Sequence, residues 1–232
     1  MAISTTRGTI SLESKRYGTS VLGAPLLYFP CKGACDLLIM AGIHGEEPET
    51  TFLLSRVVRA FECNFENVAF ILCANPDGVA LGTRGNANGV DLNRNFPTDN
   101  WSASPVRSRS ILEADRDMKL STGETPASEP EVQSLLQLIE ALTPKAVVSF
   151  HSPIGCIDAP AKTALVQDLM AVFNVPWVQD IGYSTPGSFG TWSKEKGLEC
   201  VTIELPRLAP ELLFERYGKG VVEFLKNYST NV

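Results

Sequence analysis

The chain has 232 residues, enough for one substantial hydrophobic core. Its hydrophobic fraction of 44% and charged fraction of 20% are those of an ordinary globular protein, and its net charge of −6 argues against a nucleic-acid-binding surface, which is basic. No apolar run reaches the roughly 18 residues of a membrane span, and the polar N-terminus lacks the apolar region of a secretory signal. These features predict one domain over residues 1–232, located in the cytoplasm, without a nucleic-acid or membrane partner.

Four continuous apolar runs, each bounded by turn residues, predict buried strands at residues 36–42, 67–74, 145–151 and 200–205. Four further segments have apolar residues at helical spacing, namely residues 48–61, 128–142, 162–173 and 211–228. Pro48 suits the first turn of the first helix, and Ser128 is predicted to cap the second. Because continuous apolar runs indicate a sheet covered on both faces, this order predicts an α/β fold.

Two connections differ from this alternation. The sequence Asn-Pro-Asp-Gly at residues 75–78 predicts a turn after the second apolar run. Residues 97–127 are polar and rich in serine, arginine and aspartate. A connection of that length is usually functional or disordered, and the sequence leaves both interpretations open.

The six cysteines do not predict a structural metal site. Cys73 and Cys200 lie inside apolar runs, where buried reduced thiols are expected. Cys31 and Cys35 form the only close pair, and the chain has only two histidines. A zinc ribbon or a disulfide is therefore not expected in a cytoplasmic chain of this composition.

Both histidines lie at the predicted carboxyl ends of strands. His44 follows the first apolar run and Glu47 lies three residues later, at the start of a helix, whereas His151 ends the third run. In open α/β sheets, ligands bind at the carboxyl ends of the strands, so these side chains can meet. His44, Glu47 and His151 supply the nitrogen and oxygen ligands of a catalytic zinc site with one open position. Glu204, late in the fourth run, is then placed to act as a general base.

A glycine- and asparagine-rich stretch after the second run carries further candidates. Arg84 and Arg94 provide two positive charges that match carboxylates. Asp91 is a candidate hydrogen-bond acceptor for the second nitrogen of a zinc-bound histidine. For Asn93 and Asn95, simple turn chemistry is an equally good interpretation from their spacing alone.

Five motifs in this order resemble those of the zinc carboxypeptidase superfamily. They are "HGEE", "NPDG", "TRGNANGVDLNRNFP", "FHSP" and "TIEL", and the resemblance extends over residues 39 to 205. It implies a single-domain α/β fold with a mixed, mostly eight-stranded sheet flanked by helices. It also implies one Zn²⁺ ion per chain, a peptide substrate and a hydrolytic reaction.

The resemblance implies roles for individual residues. His44, Glu47 and His151 match the zinc ligands of the family, and Asp91 matches the residue that orients the first histidine. Glu204 matches the general base and acid of the family. Arg84 matches the arginine that polarises the scissile carbonyl and stabilises the oxyanion.

The substrate side of the site is implied in the same way. Asn93 and Arg94 match the pair that binds a substrate carboxylate, and Tyr183 falls where the family has a mobile tyrosine. Ser152, next to the third ligand, is a further candidate for substrate contact. Asp158 is a candidate for binding a substrate amine, with a solvated turn aspartate as the alternative.

The stretches "HSPIGCID" and "GYSTPGSFGTW" are similar to the murein peptide amidases, a cytoplasmic bacterial branch of the superfamily. That branch hydrolyses the amide bond between γ-D-glutamate and meso-diaminopimelate during peptidoglycan recycling, which implies a murein tripeptide substrate. Three alternatives remain: an N-deacylase of the aspartoacylase and succinylglutamate desuccinylase type, a broader metallocarboxypeptidase, and a non-catalytic binder of wall peptides. A monomer and a homodimer are both compatible with the sequence.

Overall fold

The computed structural model describes residues 8–110 and 116–230. The strands found there are β1 Lys15–Thr19, β2 Pro25–Tyr28, β3 Leu37–Met40, β4 Val68–Ile71, β5 Val106–Ser110, β6 Arg116–Leu120, β7 Ala146–His151, β8 Ile154–Asp158, β9 Trp177–Val178 and β10 Glu199–Pro206. The α-helices are α1 Pro48–Val58, α2 Pro76–Leu81, α3 Pro130–Leu142, α4 Ala164–Phe173, α5 Phe189–Glu195 and α6 Pro210–Thr230. A single 3₁₀ turn covers Leu92–Arg94.

The predicted α/β architecture is confirmed. The central sheet is mixed and has the strand order β4-β3-β7-β10-β8-β9. Its strands β4, β3, β7 and β10 are parallel, whereas β8 is antiparallel to β10. Each of the four predicted strands and four predicted helices corresponds to an observed element.

Helices cover both faces of this sheet, as the apolar runs predict. Alternate residues of β3 enter two separate hydrophobic clusters: Leu37 and Ile39 pack with α1, α4 and α6, and Leu38 and Met40 pack with α3 and α5. The strand residues are almost fully buried, since no side chain of β3 is more than 2% exposed. Burial on both faces keeps the sheet rigid and makes its strand ends a fixed platform.

The expected strand count is wrong, because the central sheet formed by the described residues has six strands and not eight. Strands β1 and β2 form a separate two-stranded ribbon. This ribbon joins β4 through one antiparallel bridge, in which Phe29 N donates to Phe70 O at 2.8 Å and Phe70 N donates to Phe29 O at 3.0 Å. Among the described residues, the contact stays a single residue pair.

The polar connection at residues 97–127 contains regular structure in its described part. Strands β5 and β6 pair antiparallel, with Val106 opposite Leu120. Residues 111–115 lie outside the described part of the chain. The hairpin is attached next to the candidate site, because Asp91 N donates to Ser121 O at 2.9 Å.

Two local predictions are corrected by the structure. Residues 75–78 do not form a turn: Asn75 caps the short helix α2, and its side chain accepts from Gly78 N at 2.9 Å. Ser128 does not cap α3, whose N-cap is Glu129. The Ser128 hydroxyl instead donates to the Glu129 carboxylate at 2.7 Å, since it lies one residue too early for the capping bond.

All six cysteines are free thiols. Cys200 is buried as predicted, and burial raises its pKa to about 12, so the thiol is neutral. Cys73 is only partly buried, which differs from the prediction. In the described ranges, we find no helix with the length and apolar character that crossing a bilayer requires.

Candidate metal centre and active site

Three neighbouring strands bring the candidate residues to one edge of the sheet. His151 is the last residue of β7, and His44 follows the adjacent parallel strand β3. Glu47 is the N-cap residue of α1, with Pro48 in the first turn as predicted. Strand β10 lies on the other side of β7, with Glu204 in register with His151. The parallel register therefore converts residues far apart in sequence into neighbours.

The two histidines and Glu47 converge through specific atoms. His44 Nδ1 lies 2.8 Å from one Glu47 carboxylate oxygen, and His151 Nδ1 lies 3.2 Å from the other. The two Nδ1 atoms are 3.2 Å apart. One ligand atom from each residue lies within 4.8 Å of the others, and all three residues are buried. This is a compact set of two nitrogen donors and one oxygen donor.

Asp91 and Arg84 surround this set with charge. His44 Nε2 lies 3.2 Å from Asp91 Oδ1, on the side of the ring away from the other donors, and Arg84 Nε donates to Asp91 Oδ2 at 3.0 Å. Burial raises the pKa of Asp91, but the charges of Arg84 and His44 outweigh it and hold that pKa well below its usual range. Asp91 is thus a buried anion that fixes the orientation of the His44 ring.

Arg84 has a further contact that the sequence did not suggest. Its Nη1 donates to Glu46 Oε1 at 3.1 Å and to Glu47 Oε1 at 3.3 Å. Within the described ranges we find no protein partner for Nη2. The sequence contains both adjacent glutamates of the "HGEE" motif, but only the fold shows that Glu46, the first of them, forms an ion pair with Arg84.

Glu204 is buried and incompletely satisfied. Only 8% of the residue is exposed, and its Oε2 atom has no hydrogen-bond partner among the described residues. Burial raises the pKa of Glu204, and the nearby Glu47 carboxylate raises it further against the lowering influence of His151. An unpaired buried carboxylate oxygen is costly, so this atom is a candidate for binding water or substrate.

Asn93 and Arg94 lie on the 3₁₀ turn and are fixed by backbone contacts. Asn93 Oδ1 accepts from Phe189 N at 2.8 Å, at the start of α5. Among the residues that the structure describes, we find no partner for the Asn93 amide nitrogen, which is a donor. Arg94 Nη1 donates to Asn93 O at 2.7 Å, and the arginine is only 8% exposed. For Asn93, simple turn chemistry is therefore an insufficient interpretation.

The remaining candidates differ in how freely they face the site. Tyr183 is 55% exposed. The Ser152 hydroxyl is already donated to the Glu49 carboxylate, and Ser152 N lies 3.3 Å from Glu47 Oε2. Asp158 is the last residue of β8 and is half-buried, so it lies in a strand and not in a turn. Burial and the neighbouring Asp180 raise the pKa of Asp158.

All of these candidates line one cavity of about 590 Å³. Its walls include His44, Glu47, Arg84, Asp91, Asn93, Arg94, His151, Ser152, Asp158, Tyr183 and Glu204. Three charged residues of the lining are not predicted from the sequence, namely Arg107, Asp180 and Lys194. They lie on the hairpin, after β9 and on α5, in elements that lack the long apolar runs from which we predicted structure.

The donor set fits a zinc ion. Two imidazole nitrogens with one carboxylate are a common protein ligand set for catalytic zinc and leave a position open. The buried Glu204 oxygen without a partner adds a group that can hold a proton beside that position. His44, Glu47 and His151 form the only such group of histidine, cysteine and carboxylate residues found in residues 8–110 and 116–230.

A model of the zinc carboxypeptidase family matches residues 31–160, which is more than half of the chain. This chain belongs to the zinc carboxypeptidase family. The match includes the histidine–glutamate–histidine set, so the predicted family and enzyme class are confirmed. Glu204 and Tyr183 lie beyond the matched residues.

Two relatives extend the similarity over nearly the whole chain. Murein peptide amidase A of Escherichia coli strain K12 is 44% identical over 224 residues, which are 95% of this chain and 92% of the relative. The protein of the same name from Vibrio campbellii is 44% identical over 226 residues, or 96% and 91% of the two chains. These matches favour the peptidase branch over the N-deacylase alternative.

Solved structures agree with this placement in the zinc carboxypeptidase family. The crystal structure of murein-tripeptide amidase from Escherichia coli O157 superposes with a TM-score of 0.91 at 40% identity, covering 97% of this chain and 98% of that chain. Thrombin-activatable fibrinolysis inhibitor has a TM-score of 0.71 at 21% identity, covering 96% and 73%, and shows that the fold is shared.

Proposed function

We propose that this chain is a zinc-dependent amidase that hydrolyses murein peptides at the bond between γ-D-glutamate and meso-diaminopimelate. The observation that carries the proposal is the convergence of His44, Glu47 and His151 beside the unpartnered oxygen of Glu204. The two relatives described above, both named murein peptide amidase A, support the substrate class. The proposed setting is the recycling of peptidoglycan in the cytoplasm.

His44, Glu47 and His151 are the proposed ligands of one zinc ion, which when bound supplies Lewis acidity for the hydrolysis of an amide. Asp91 holds the His44 ring in the orientation that leaves Nδ1 free to bind. Glu204 is the proposed general base: it accepts a proton from the attacking water and returns it to the departing amine.

Arg84 is proposed to stabilise the negative charge that develops on the scissile carbonyl oxygen. Two of its nitrogens are held by carboxylates in the free protein, and Nη2 remains for the substrate. A donor fixed before the reaction stabilises charge without reorganisation. Asn93 and Arg94 are proposed to bind the terminal carboxylate of the substrate, with a bidentate geometry available to the guanidinium.

Recognition of the distal part of the substrate is assigned to residues farther from the metal ligands. Asp158 is proposed to bind the second amine of diaminopimelate, and Tyr183 is proposed to close over the substrate from its exposed position. Ser152 is proposed to contribute through the backbone, because its hydroxyl is held by Glu49.

The test combines metal analysis with a substrate assay. We expect one zinc ion per chain in protein purified without chelators, and hydrolysis of L-Ala-γ-D-Glu-meso-diaminopimelate to the dipeptide and free diaminopimelate. Zinc without hydrolysis of this peptide, together with hydrolysis of ordinary C-terminal residues, would favour a broad carboxypeptidase. Zinc with no hydrolysis of any peptide would favour the non-catalytic binder.

A further inference from the structure

The segment that carries Arg84, Asp91, Asn93 and Arg94 is fastened at two places by buried asparagines. Asn86 and Asn95 are 2% and 0% exposed. Both asparagines bond to the residues that begin α3, a helix whose buried face packs in the hydrophobic core. Neither asparagine has a role in the mechanism proposed above.

Asn86 uses its whole hydrogen-bonding capacity in this position. Its side-chain nitrogen donates to Glu129 Oε2 at 2.7 Å and to Glu131 Oε2 at 3.1 Å. Its side-chain oxygen accepts from Asn88 N at 3.1 Å and from Val90 N at 3.2 Å. These bonds close the tight turn between Arg84 and Asp91 and tie it to α3.

Asn95 performs the equivalent task on the other side of the 3₁₀ turn. Its side-chain nitrogen has two hydrogens and lies within hydrogen-bond distance of three acceptors: Thr122 O at 2.7 Å, Thr125 O at 3.0 Å and Ser128 Oγ at 3.2 Å. Its side-chain oxygen accepts from Glu129 N at 3.1 Å. The beginning of α3 is therefore bound to both ends of the segment.

The glutamates that receive these bonds are themselves fixed. Glu129 is the N-cap residue of α3 and Glu131 lies in the first turn, where the helix dipole favours negative charge. Glu131 Oε1 also accepts from Val21 N at 3.1 Å, which attaches the β1–β2 ribbon to the same cluster. The cluster thus connects three separate parts of the chain.

We propose that Asn86 and Asn95 are positioning residues for the substrate. Asn86 fixes the end of the segment that carries Arg84, and Asn95 fixes the end that carries Arg94. The backbone of Arg84 also accepts from Gly45 N at 3.3 Å, so a displaced turn moves the arginine relative to the metal ligands. A displacement of about 1 Å is enough to lower a rate by roughly 100-fold.

The first test replaces the donor at Asn86. In Asn86→Asp the new carboxylate cannot donate and lies against Glu129 and Glu131. We expect kcat for the murein tripeptide to fall roughly 10-fold to 100-fold, with zinc still at one ion per chain. The double variant Asn86→Asp/Glu131→Gln restores one donor–acceptor pair and should recover at least about half of the loss on a logarithmic scale. An unchanged kcat in the single variant, or no recovery in the double variant, contradicts the proposal.

The second test uses a ratio that is independent of the fraction of folded protein. Asn95→Asp keeps the acceptor for Glu129 N but loses the bonds that the amide nitrogen donates. We expect the preference for the free tripeptide over its C-terminal carboxamide to fall roughly 10-fold in kcat/KM, because the carboxylate-binding end moves. An equal loss for both substrates would show a purely structural role and overturn the assignment.

A matched control is available within the same cluster. Asn88 is exposed and its side chain donates to the same Glu129 oxygen as Asn86 does, at 2.9 Å. Asn88→Ser should keep kcat and the carboxylate preference within about two-fold of the wild type. The wild type's own turnover tests the proposed function. The comparison of variants uses the wild type as reference, with zinc content and the thermal midpoint as readouts that do not depend on activity.

Discussion

At the scale of single residues, the site contains buried polar groups whose burial costs free energy and does not serve packing alone. Glu204 is 8% exposed and has a carboxylate oxygen without a partner among the described residues. An unsatisfied buried polar group costs about 1–3 kcal/mol. The buried residues His44, Glu47 and His151 beside it are similarly unfavourable in a protein core unless they bind a metal ion. We attribute this cost to function, since it occurs where the parallel strands end.

Glu204→Gln separates the chemical step from metal binding. Glutamine keeps the shape of the side chain but cannot accept the proton, so we expect zinc content to stay at the wild-type level. Turnover should fall by roughly 10²-fold to 10⁴-fold. His151→Ala provides the contrast, because it should lose zinc and activity together. Normal turnover in Glu204→Gln, measured with metal content on the same sample, would assign the base to another residue.

The two arginines should have different kinetic effects. Arg84→Ala removes a donor proposed to act on the transition state, and we expect kcat to fall by roughly 10²-fold or more. Arg94→Ala removes a contact with the substrate carboxylate and should mainly raise KM. Steady-state kinetics on the tripeptide measures both, with the surface variant Lys219→Ala as control. The opposite pattern would mean that the two roles are exchanged.

At the scale of elements, one buried aspartate ties three strands together before they reach the site. Asp36 precedes β3, and its side chain accepts from Asn67 Nδ2 at 3.1 Å, next to β4. Its backbone oxygen accepts from Lys145 N and Ala146 N, where β7 begins. Its carboxylate also lies 2.6 Å from Lys145 Nζ, an ion pair with one exposed partner. Asp36 thus sets the register at the end of the sheet opposite the site.

Asp36→Asn should lower the free energy of unfolding and change its pH dependence. Hydrogen bonds from Lys145 and Asn67 hold the pKa of Asp36 below its usual range. The stabilisation is therefore present above the unfolded pKa near 4 and lost as pH falls through the lower folded value. At pH 7 we expect a loss of about 1 kcal/mol, since the exposed lysine contributes little. Urea unfolding at pH 7 and at pH 3 measures this, with the exposed Asp168→Asn as control. If the variant and the wild type differ in free energy of unfolding by the same amount at both pH values, the charge of Asp36 is excluded as the cause.

At the scale of the whole molecule, the cavity joins elements that are distant in sequence. Its lining includes Arg107 on β5, Asp158 at the end of β8, Asp180 after β9 and Lys194 on α5. The wall therefore carries charges of both signs beyond the residues proposed for catalysis. A substrate side chain with both an amine and a carboxylate matches such a wall better than an uncharged side chain does.

This arrangement predicts selectivity among three tripeptides. They share L-Ala-γ-D-Glu and end in meso-diaminopimelate, in L-lysine, which lacks the second carboxylate, or in L-2-aminopimelate, which lacks the second amine. We expect the first to be hydrolysed with a kcat/KM roughly 10²-fold or more above the second, because polar groups left unpaired cost several kcal/mol. Asp158→Asn should reduce hydrolysis of the first two and spare the third. Equal rates for all three tripeptides would contradict the proposed murein-peptide substrate, but they would be consistent with a peptidase of broader specificity.

Long elements could be predicted from the sequence because each carries its own signal. Continuous apolar runs predicted β3, β4, β7 and β10, and helical spacing predicted α1, α3, α4 and α6. The histidines and Glu204 could be placed together because the carboxyl ends of parallel strands meet at one edge. Ser128 is predicted as the cap because serine is a preferred N-cap residue, but contacts of Ser128 and Glu129 with Asn95 accompany a helix that starts one residue later.

Short elements and their contributions to the site were decided by tertiary structure alone. β8 is held by pairing with β10, and β9 by pairing with β8. In α5, Phe189 and Trp192 pack against Phe96. No local pattern encodes such partners, and the same holds for the buried contacts of Asn86 and Asn95. The candidate metal-ligand set could thus be predicted from chain-local signals, whereas the walls of the cavity around it arise from long-range packing.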